Sequence, residues 1–173
     1  MSDKILVTYA SRAGSTVGVA EMIGKTLREH NLTVDVMPMQ EVDDLSPYRA
    51  VVAGSAIRID RWLPEAMQFV KRHQAELNQK PFAPFLVCLA LSATNEKRLK
   101  KAKQGVSNYL QPVRDLVTPV SEGRFAGVLD LSRIPELRYR LLFRIPVMLG
   151  FFAEGDFRDW NSIRDWANNL PTK

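Results

Sequence analysis

Ser11-Arg12-Ala13-Gly14-Ser15-Thr16 stands between an apolar run, Ile5-Leu6-Val7-Thr8-Tyr9-Ala10, and a helical pattern at 17–28. A strand, a short hydroxyl-rich turn with a glycine, then a helix is a phosphate-binding arrangement. The glycine lets the main chain come close to a ligand. The unpaired N–H groups at the helix start point at an anion, and the helix dipole favours its charge. Ser11, Ser15 and Thr16 add hydroxyl donors. The plainer alternative is a strand-to-helix turn with Ser or Thr as the helix cap.

The residue types narrow the choice of phosphate. A dinucleotide fingerprint needs G-x-G-x-x-G, and only Gly14 and Gly18 are present, at the wrong spacing. A P-loop needs lysine at the helix start, and none follows Gly14 before Lys25. A turn of hydroxyls and amides without the lysine a polyphosphate needs suits one monoester phosphate, which points to FMN more than to ATP or NAD.

Outward from this turn, strand and helix patterns alternate. Apolar runs at 5–10, 33–37, 50–54 and 85–91 read as buried parallel strands, and a fifth lies near 117–126. Helical patterns occupy 16–30, 64–78, 96–110 and 161–169, the second opening on Pro64, a favourable first-turn proline. The alternation predicts an α/β domain with a parallel sheet. Five strands with the ligand turn after the first fit a flavodoxin-like order, 2-1-3-4-5, in three layers. The 173 residues suffice for one such domain, 1–173, and not for two comfortable ones. Residues 128–158 read as an irregular insert, too long for an ordinary connection and therefore of functional interest.

Ligands of such sheets lie beyond the carboxyl ends of the strands. After the third strand come Gly54, Ser55, Ala56, Ile57, Arg58, Ile59, Asp60, Arg61 and Trp62. Gly54 and Ser55 allow close approach to a ring. Arg58 or Arg61 could stabilise an anionic flavin or an acidic substrate. Trp62 either stacks on a ring or packs under the next helix. After the fourth strand, Ala90, Leu91, Ser92, Ala93, Thr94 and Asn95 offer small and hydroxyl residues to a flavin edge.

Cys88 is the single cysteine, so no intramolecular disulfide exists, and its apolar surroundings indicate an inert core thiol. No Cys/His cluster has metal spacing. His30 and His73 read as surface or helix-end residues. No side chain stands out as a general base, so no catalytic residue is assigned. No leader and no membrane span are evident. The expected location is cytoplasmic, with peripheral contact on the inner face of the cell membrane left open.

The spacing Tyr9-x-Ser11-x-x-Gly14-x-Thr16-x-x-x-Ala20 resembles the first-turn signature of the flavodoxin superfamily. Within it, the chain is similar to the menaquinone-dependent protoporphyrinogen dehydrogenase branch. That likeness rests on residues 9–16, on Gly54-Ser55-Ala56-Ile57-Arg58 and on Phe125-Ala126-Gly127-Val128-Leu129. The long insert and Gly155-Asp156-Phe157-Arg158-Asp159-Trp160 extend it over essentially the whole chain. The resemblance implies FMN with its phosphate at Ser11, Arg12, Ala13, Gly14, Ser15 and Thr16. It also implies ring contacts from Ser55, Ala56, Ile57 and Arg58, and from Ala90, Leu91, Ser92, Ala93 and Thr94. The implied function is an FMN-dependent oxidoreductase of haem biosynthesis, passing electrons from a reduced substrate to a quinone-type acceptor. The alternative is an FMN electron-transfer protein with a protein partner. Two departures matter: Ala13 stands where flavodoxins carry Thr, removing one phosphate hydroxyl, and the loop after the fourth strand lacks the usual aromatic shield. An open flavin face favours an enzyme over a shielded carrier.

Lys and Arg number 24 against 19 Asp and Glu, a net +5, which suits an anionic partner. Residues 124–144 alone carry five arginines (Arg124, Arg133, Arg138, Arg140, Arg144) against Asp130 and Glu136. The uncharged run 145–152 follows. Arginines beside apolar residues fit a lipid interface, or an anionic small-molecule substrate whose carboxylates pair with guanidinium groups. The plainer alternative is a core-covering segment or a homodimer contact. The run 97–103, rich in lysine, reads as a solvated helix face. No nucleic-acid partner is expected, because the basic residues are not spread with stacking aromatics over one face.

Overall fold

The apolar runs pair into one parallel sheet in the computed structural model, which describes residues 3–93, 95–133, 137–150 and 153–171. In chain order the elements are β1 (Lys4–Ala10), α1 (Ser15–Glu29), β2 (Thr33–Pro38), β3 (Tyr48–Arg58), β4 (Arg61–Trp62), α2 (Pro64–Arg72), α3 (Gln74–Leu77) and β5 (Phe82–Cys88). There follow α4 (Glu96–Gly105), α5 (Gln111–Arg114), β6 (Gly123–Ala126), β7 (Val128–Leu129), α6 (Leu137–Met148), β8 (Gly155–Asp156) and α7 (Trp160–Asn168). The parallel strands stand in the order β2-β1-β3-β5-β6, which is the 2-1-3-4-5 order expected from the sequence. Short β4 adds a sixth, antiparallel strand against the end of β3.

Period-two alternation sends side chains to both faces of the sheet, and each face has its own core. Leu6, Val51, Ala53, Phe82 and Leu86 meet Leu63, Ala66 and Val70 on one side. Ile5, Val7, Val52, Phe85 and Val87 meet Val19, Ala20, Ile23 and Leu27 of α1 and Ile163 of α7 on the other. All seven residues of β5 are buried, which is why it reads as an unbroken apolar run.

Several boundaries differ from the sequence reading. β5 begins at Phe82, not Phe85. Pro84 is tolerated because β6 starts to pair only at Phe85, leaving that side of β5 an edge. Residues after Cys88 tighten into a 3₁₀ turn, Leu89–Ser92. The fifth strand is confined to Gly123–Ala126. The helix expected over 64–78 breaks at His73, and the one expected over 96–110 gives way after Gly105 to a 3₁₀ turn. His73 lies at a helix end, between α2 and α3, but is buried at 4% exposure, with Nδ1 3.2 Å from Glu76 Oε1, so it is a packed helix-end histidine and not a surface one. The insert is not irregular throughout: it carries the 12-residue helix α6. Its two ends are tied by the β7–β8 pairing, Val128 opposite Asp156 and Leu129 opposite Gly155. Among the described residues, no helix is long and apolar enough to cross a membrane.

Candidate functional site

Parallel register brings the strand ends together. Ala10 pairs with Ser55, Ala56 with Val87, and Cys88 with Ala126. The turns that follow β1, β3, β5 and β6 therefore emerge side by side at one edge of the sheet.

The turn after β1 leaves the start of α1 without a side-chain cap. Gly14 adopts φ 85°, a left-handed conformation that L side chains resist, with open space where a Cβ would stand. Its N–H donates to Ser11 Oγ at 3.1 Å, closing the turn on itself. Helix α1 then starts at Ser15 with no side-chain cap and no acid in its first turn. By contrast, α4 is capped by Asn95 and α7 by Asp159. The reading of this turn as an ordinary Ser/Thr cap is thus set aside, since Ser15 and Thr16 lie inside the helix. Thr16 is fully buried, and its Oγ1 has no hydrogen-bond partner. An unpartnered buried hydroxyl costs about 1–3 kcal/mol, and an oxygen-rich ligand at the uncapped helix end would supply the missing acceptor. These features fit the phosphate of FMN.

Two neighbours of this turn were not singled out as site residues in the sequence. Gly127 follows β6, and a Cβ there would lie 3.6 Å from Ser15 Oγ and 3.2 Å from Val87. Arg158 reaches back from the segment before α7. Its Nη1 donates to Ser15 O at 3.4 Å, its Nε donates to Asp156 Oδ1 at 2.8 Å, and it lies 4.3 Å over the Trp160 ring. Only glycine at position 18 leaves room for that guanidinium, because a Cβ would meet Nη1 at 2.5 Å. The pairing of Gly18 with Arg158 spans most of the chain and gives no local signal.

Arg12 is exposed and bonds Glu65 Oε2 at 3.0 Å, fastening the phosphate turn to the first turn of α2. Ala13 is half-buried beside it.

The segment after β3 is used differently from the expectation. Gly54 is not kept bare for a ring, since a Cβ there would fall 1.9 Å from Phe85 Cζ; the glycine exists to admit Phe85 into the core. Ser55 is buried, and its hydroxyl donates to Ala56 O at 2.8 Å and accepts from Leu63 N at 3.0 Å, so that side chain holds the backbone. Ala56, Ile57 and Arg58 are half-buried at the strand end. Ile59 and Asp60 form the two-residue turn to β4, both at positive φ, 49° and 58°. Asp60 accepts a 2.6 Å bond from Tyr109, whose phenol is pushed up to about 12 by that bond and by burial. Trp62 is 4% exposed and packs with Leu63 and Ala66 in the core, which settles its choice between stacking and packing.

Beyond β5, Ala90, Leu91 and Ala93 are half-buried and Ser92 is buried with an unpartnered Oγ. Thr94 lies outside the described residues. Burial pushes the Cys88 thiol up, which keeps it protonated and inert. A cavity of about 600 Å³ opens beside the turn after β3, lined by Arg12, Arg58, Arg61 and Arg138 together with Ile59 and Trp62. Arg138 comes from α6, so the insert helix borders the site.

Comparisons with known proteins agree with this fold. A family model described as "Flavodoxin domain" matches residues 6–145. A protein of Escherichia coli (strain K12) named protoporphyrinogen IX dehydrogenase [quinone] is 24% identical, covering 96% of this chain and 94% of that protein. One of the same name from Leishmania major is 25% identical, covering 98% of this chain and 75% of its own length. Among solved structures, the two-electron reduced flavodoxin of Megasphaera elsdenii superposes with a TM-score of 0.57 at 12% identity, covering 94% of this chain and 97% of that one.

Proposed function

This chain belongs to the flavodoxin domain family, and from that premise we propose that it is an FMN-dependent oxidoreductase acting on a reduced porphyrinogen-type substrate with a quinone as electron acceptor. The carrying observation is the uncapped start of α1, with the buried Thr16 hydroxyl unpartnered beneath it. Similarity over nearly the whole chain to two proteins named protoporphyrinogen IX dehydrogenase supports the choice of substrate.

When bound, FMN would supply the two-electron chemistry that no side chain here provides. The chain's own contribution is binding and orientation. The amides of Ser15 and Thr16 and the Thr16 hydroxyl would hold the phosphate. Main-chain groups of 56–58 and 90–93 would border the ring. The loop 89–95 contains no aromatic side chain, so one ring face is left for a second molecule. The cavity beside it, lined by four arginines, of which Arg12 pairs with Glu65, against one acid, Asp60, suits carboxylate arms, since guanidinium groups pair with carboxylates in a fork geometry. A carrier that docks on basic partners would carry the opposite charge, so net +5 supports an enzyme over the electron-carrier alternative.

The test is a visible spectrum of the purified protein with FMN, then anaerobic addition of protoporphyrinogen IX. Bleaching of the flavin band, followed by its return on adding a quinone, is the expected result. A flavin that binds but stays oxidised would remove the substrate assignment, and absent FMN binding would remove the whole reading.

A further inference from the structure

β3 holds one residue more than β1 opposite it. Lys4 pairs with Tyr48 and Ile5 with Ala50, which leaves Arg49 as an unpaired bulge residue. Tyr48 and Val51 pack in the core on one face of the sheet, and Ala50 in the core on the other. A bulge re-aims a side chain. Arg49 is turned to the face of Ala50, where it borders a cavity of about 610 Å³. Leu27, Leu32, Ala167, Leu170 and Pro171 form the apolar walls, contributed by the ends of α1 and α7 and the residues that follow them. The cavity lies at the amino ends of β2 and β3, roughly 20 Å along the sheet from the turn after β1.

We propose that this cavity is a second ligand site, for a monocarboxylate with an apolar body, its head group on Arg49 and its tail against the leucines. Charge selects the head group, because no acid lines the cavity. Arg49 is half-buried, and its Nε is shut off from water without a hydrogen-bond partner. The guanidinium thus stands in partly dry surroundings with no counter-charge among its cavity neighbours, where a carboxylate is favoured. The negative ends of the two helices do not take that place. Arg28 stands in the last turn of α1, and closing carbonyls of α7 accept from the N–H groups of Asn169 and Leu170. His30 Nε2 lies 2.8 Å from Asn168 Oδ1, which ties the two helix ends together at the rim and leaves the Asn168 amide nitrogen as a further donor. A small inorganic anion would leave the apolar walls wet, and a neutral hydrocarbon would leave Arg49 unanswered, so the site needs charge and apolar body in one molecule. None of these residues takes part in the proposed reaction.

Octanoate titrated into the isotope-labelled full chain, followed by NMR amide shifts, tests it. Saturable shifts are expected at 30–32, 49–50 and 167–170. Octan-1-ol keeps the chain and lacks the charge, and acetate keeps the charge and lacks the chain; each should bind about tenfold or more weakly. Arg49→Met keeps the apolar stem and should weaken octanoate binding by about tenfold or more, with circular dichroism and FMN titration unchanged. Leu32→Glu, which sets a carboxylate on the cavity wall, should weaken it likewise and covers the case in which Arg49→Met fails to fold. Absence of these shifts at millimolar octanoate would overturn the proposal, as would equal affinity in the folded variants. Shifts confined to 12 and 58–62 would also overturn it, since they would place the carboxylate in the arginine-lined cavity of the proposed reaction.

Discussion

Thr16 concentrates the chemistry of the site in one atom. Its hydroxyl is buried without a partner, so the ligand-free chain carries an unmet polar group. Thr16→Val removes that group at nearly constant volume. The ligand-free variant should be as stable as the parent or up to about 1 kcal/mol more stable, while FMN binds about 10–100-fold more weakly, the loss of one hydrogen bond to a charged phosphate. Thermal unfolding and quenching of FMN fluorescence read the two effects separately. A variant that lost stability and kept its affinity would make Thr16 a core residue only. Ile59 poses the opposite problem. It is β-branched, 74% exposed and held at φ 49° in a two-residue hairpin turn that favours Asn or Gly. Ile59→Asn should raise the unfolding free energy by about 1 kcal/mol. A lower midpoint in urea would mean that the isoleucine makes contacts worth more than its backbone strain.

At the scale of elements, β6 is held by charge as well as by pairing. Glu122, just before it, receives a two-pronged contact from Arg114 of α5, with N–O distances of 2.6 and 2.7 Å, and a third from Arg124 at 2.9 Å. The Arg114 guanidinium is the main reason its carboxyl titrates below the ordinary value of 4.5, with Arg124 adding to it. A depressed folded-state value stabilises the fold at pH above about 4.5, and that stabilisation fades as pH falls through the lower, folded value. Glu122→Gln should therefore cost about 1–2 kcal/mol at neutral pH. The gap between variant and parent should close under acid, measured by urea unfolding over a pH series. A gap independent of pH would place the effect in packing. Which elements were legible follows from the range of their causes. The β1 turn is local: hydroxyls, a glycine and an apolar strand within a dozen residues identify it. Gly54 misleads because Phe85, 31 positions on, decides its use. Helix α6 was hidden because apolar residues occur on opposite sides of it, so no 3.6-residue alternation marks it, and Pro146 stands inside it.

For the whole molecule, the sheet order was readable because parallel strands buried on both faces leave unbroken apolar runs, and right-handed crossovers admit few arrangements of them. The site was readable only as a set of turns. Their side-chain use, such as Ser55 turned inward and Arg158 brought back across the chain to Ser15, depends on packing between distant segments. The same assembly couples ligand to stability. Four strand ends and α1 form the proposed FMN site, so binding there stabilises the folded chain and not the unfolded one. At FMN one hundredfold above its dissociation constant the gain is about 2.7 kcal/mol. For a chain of 173 residues this corresponds to a rise of roughly 5–11 °C in Tm. Riboflavin keeps the ring and lacks the phosphate, so at equal concentration it should give a much smaller rise. Thr16→Val should shrink the FMN shift and leave the riboflavin shift alone. Equal shifts from FMN and riboflavin would mean that the ring is bound without help from the turn after β1, and the uncapped start of α1 would then need another ligand.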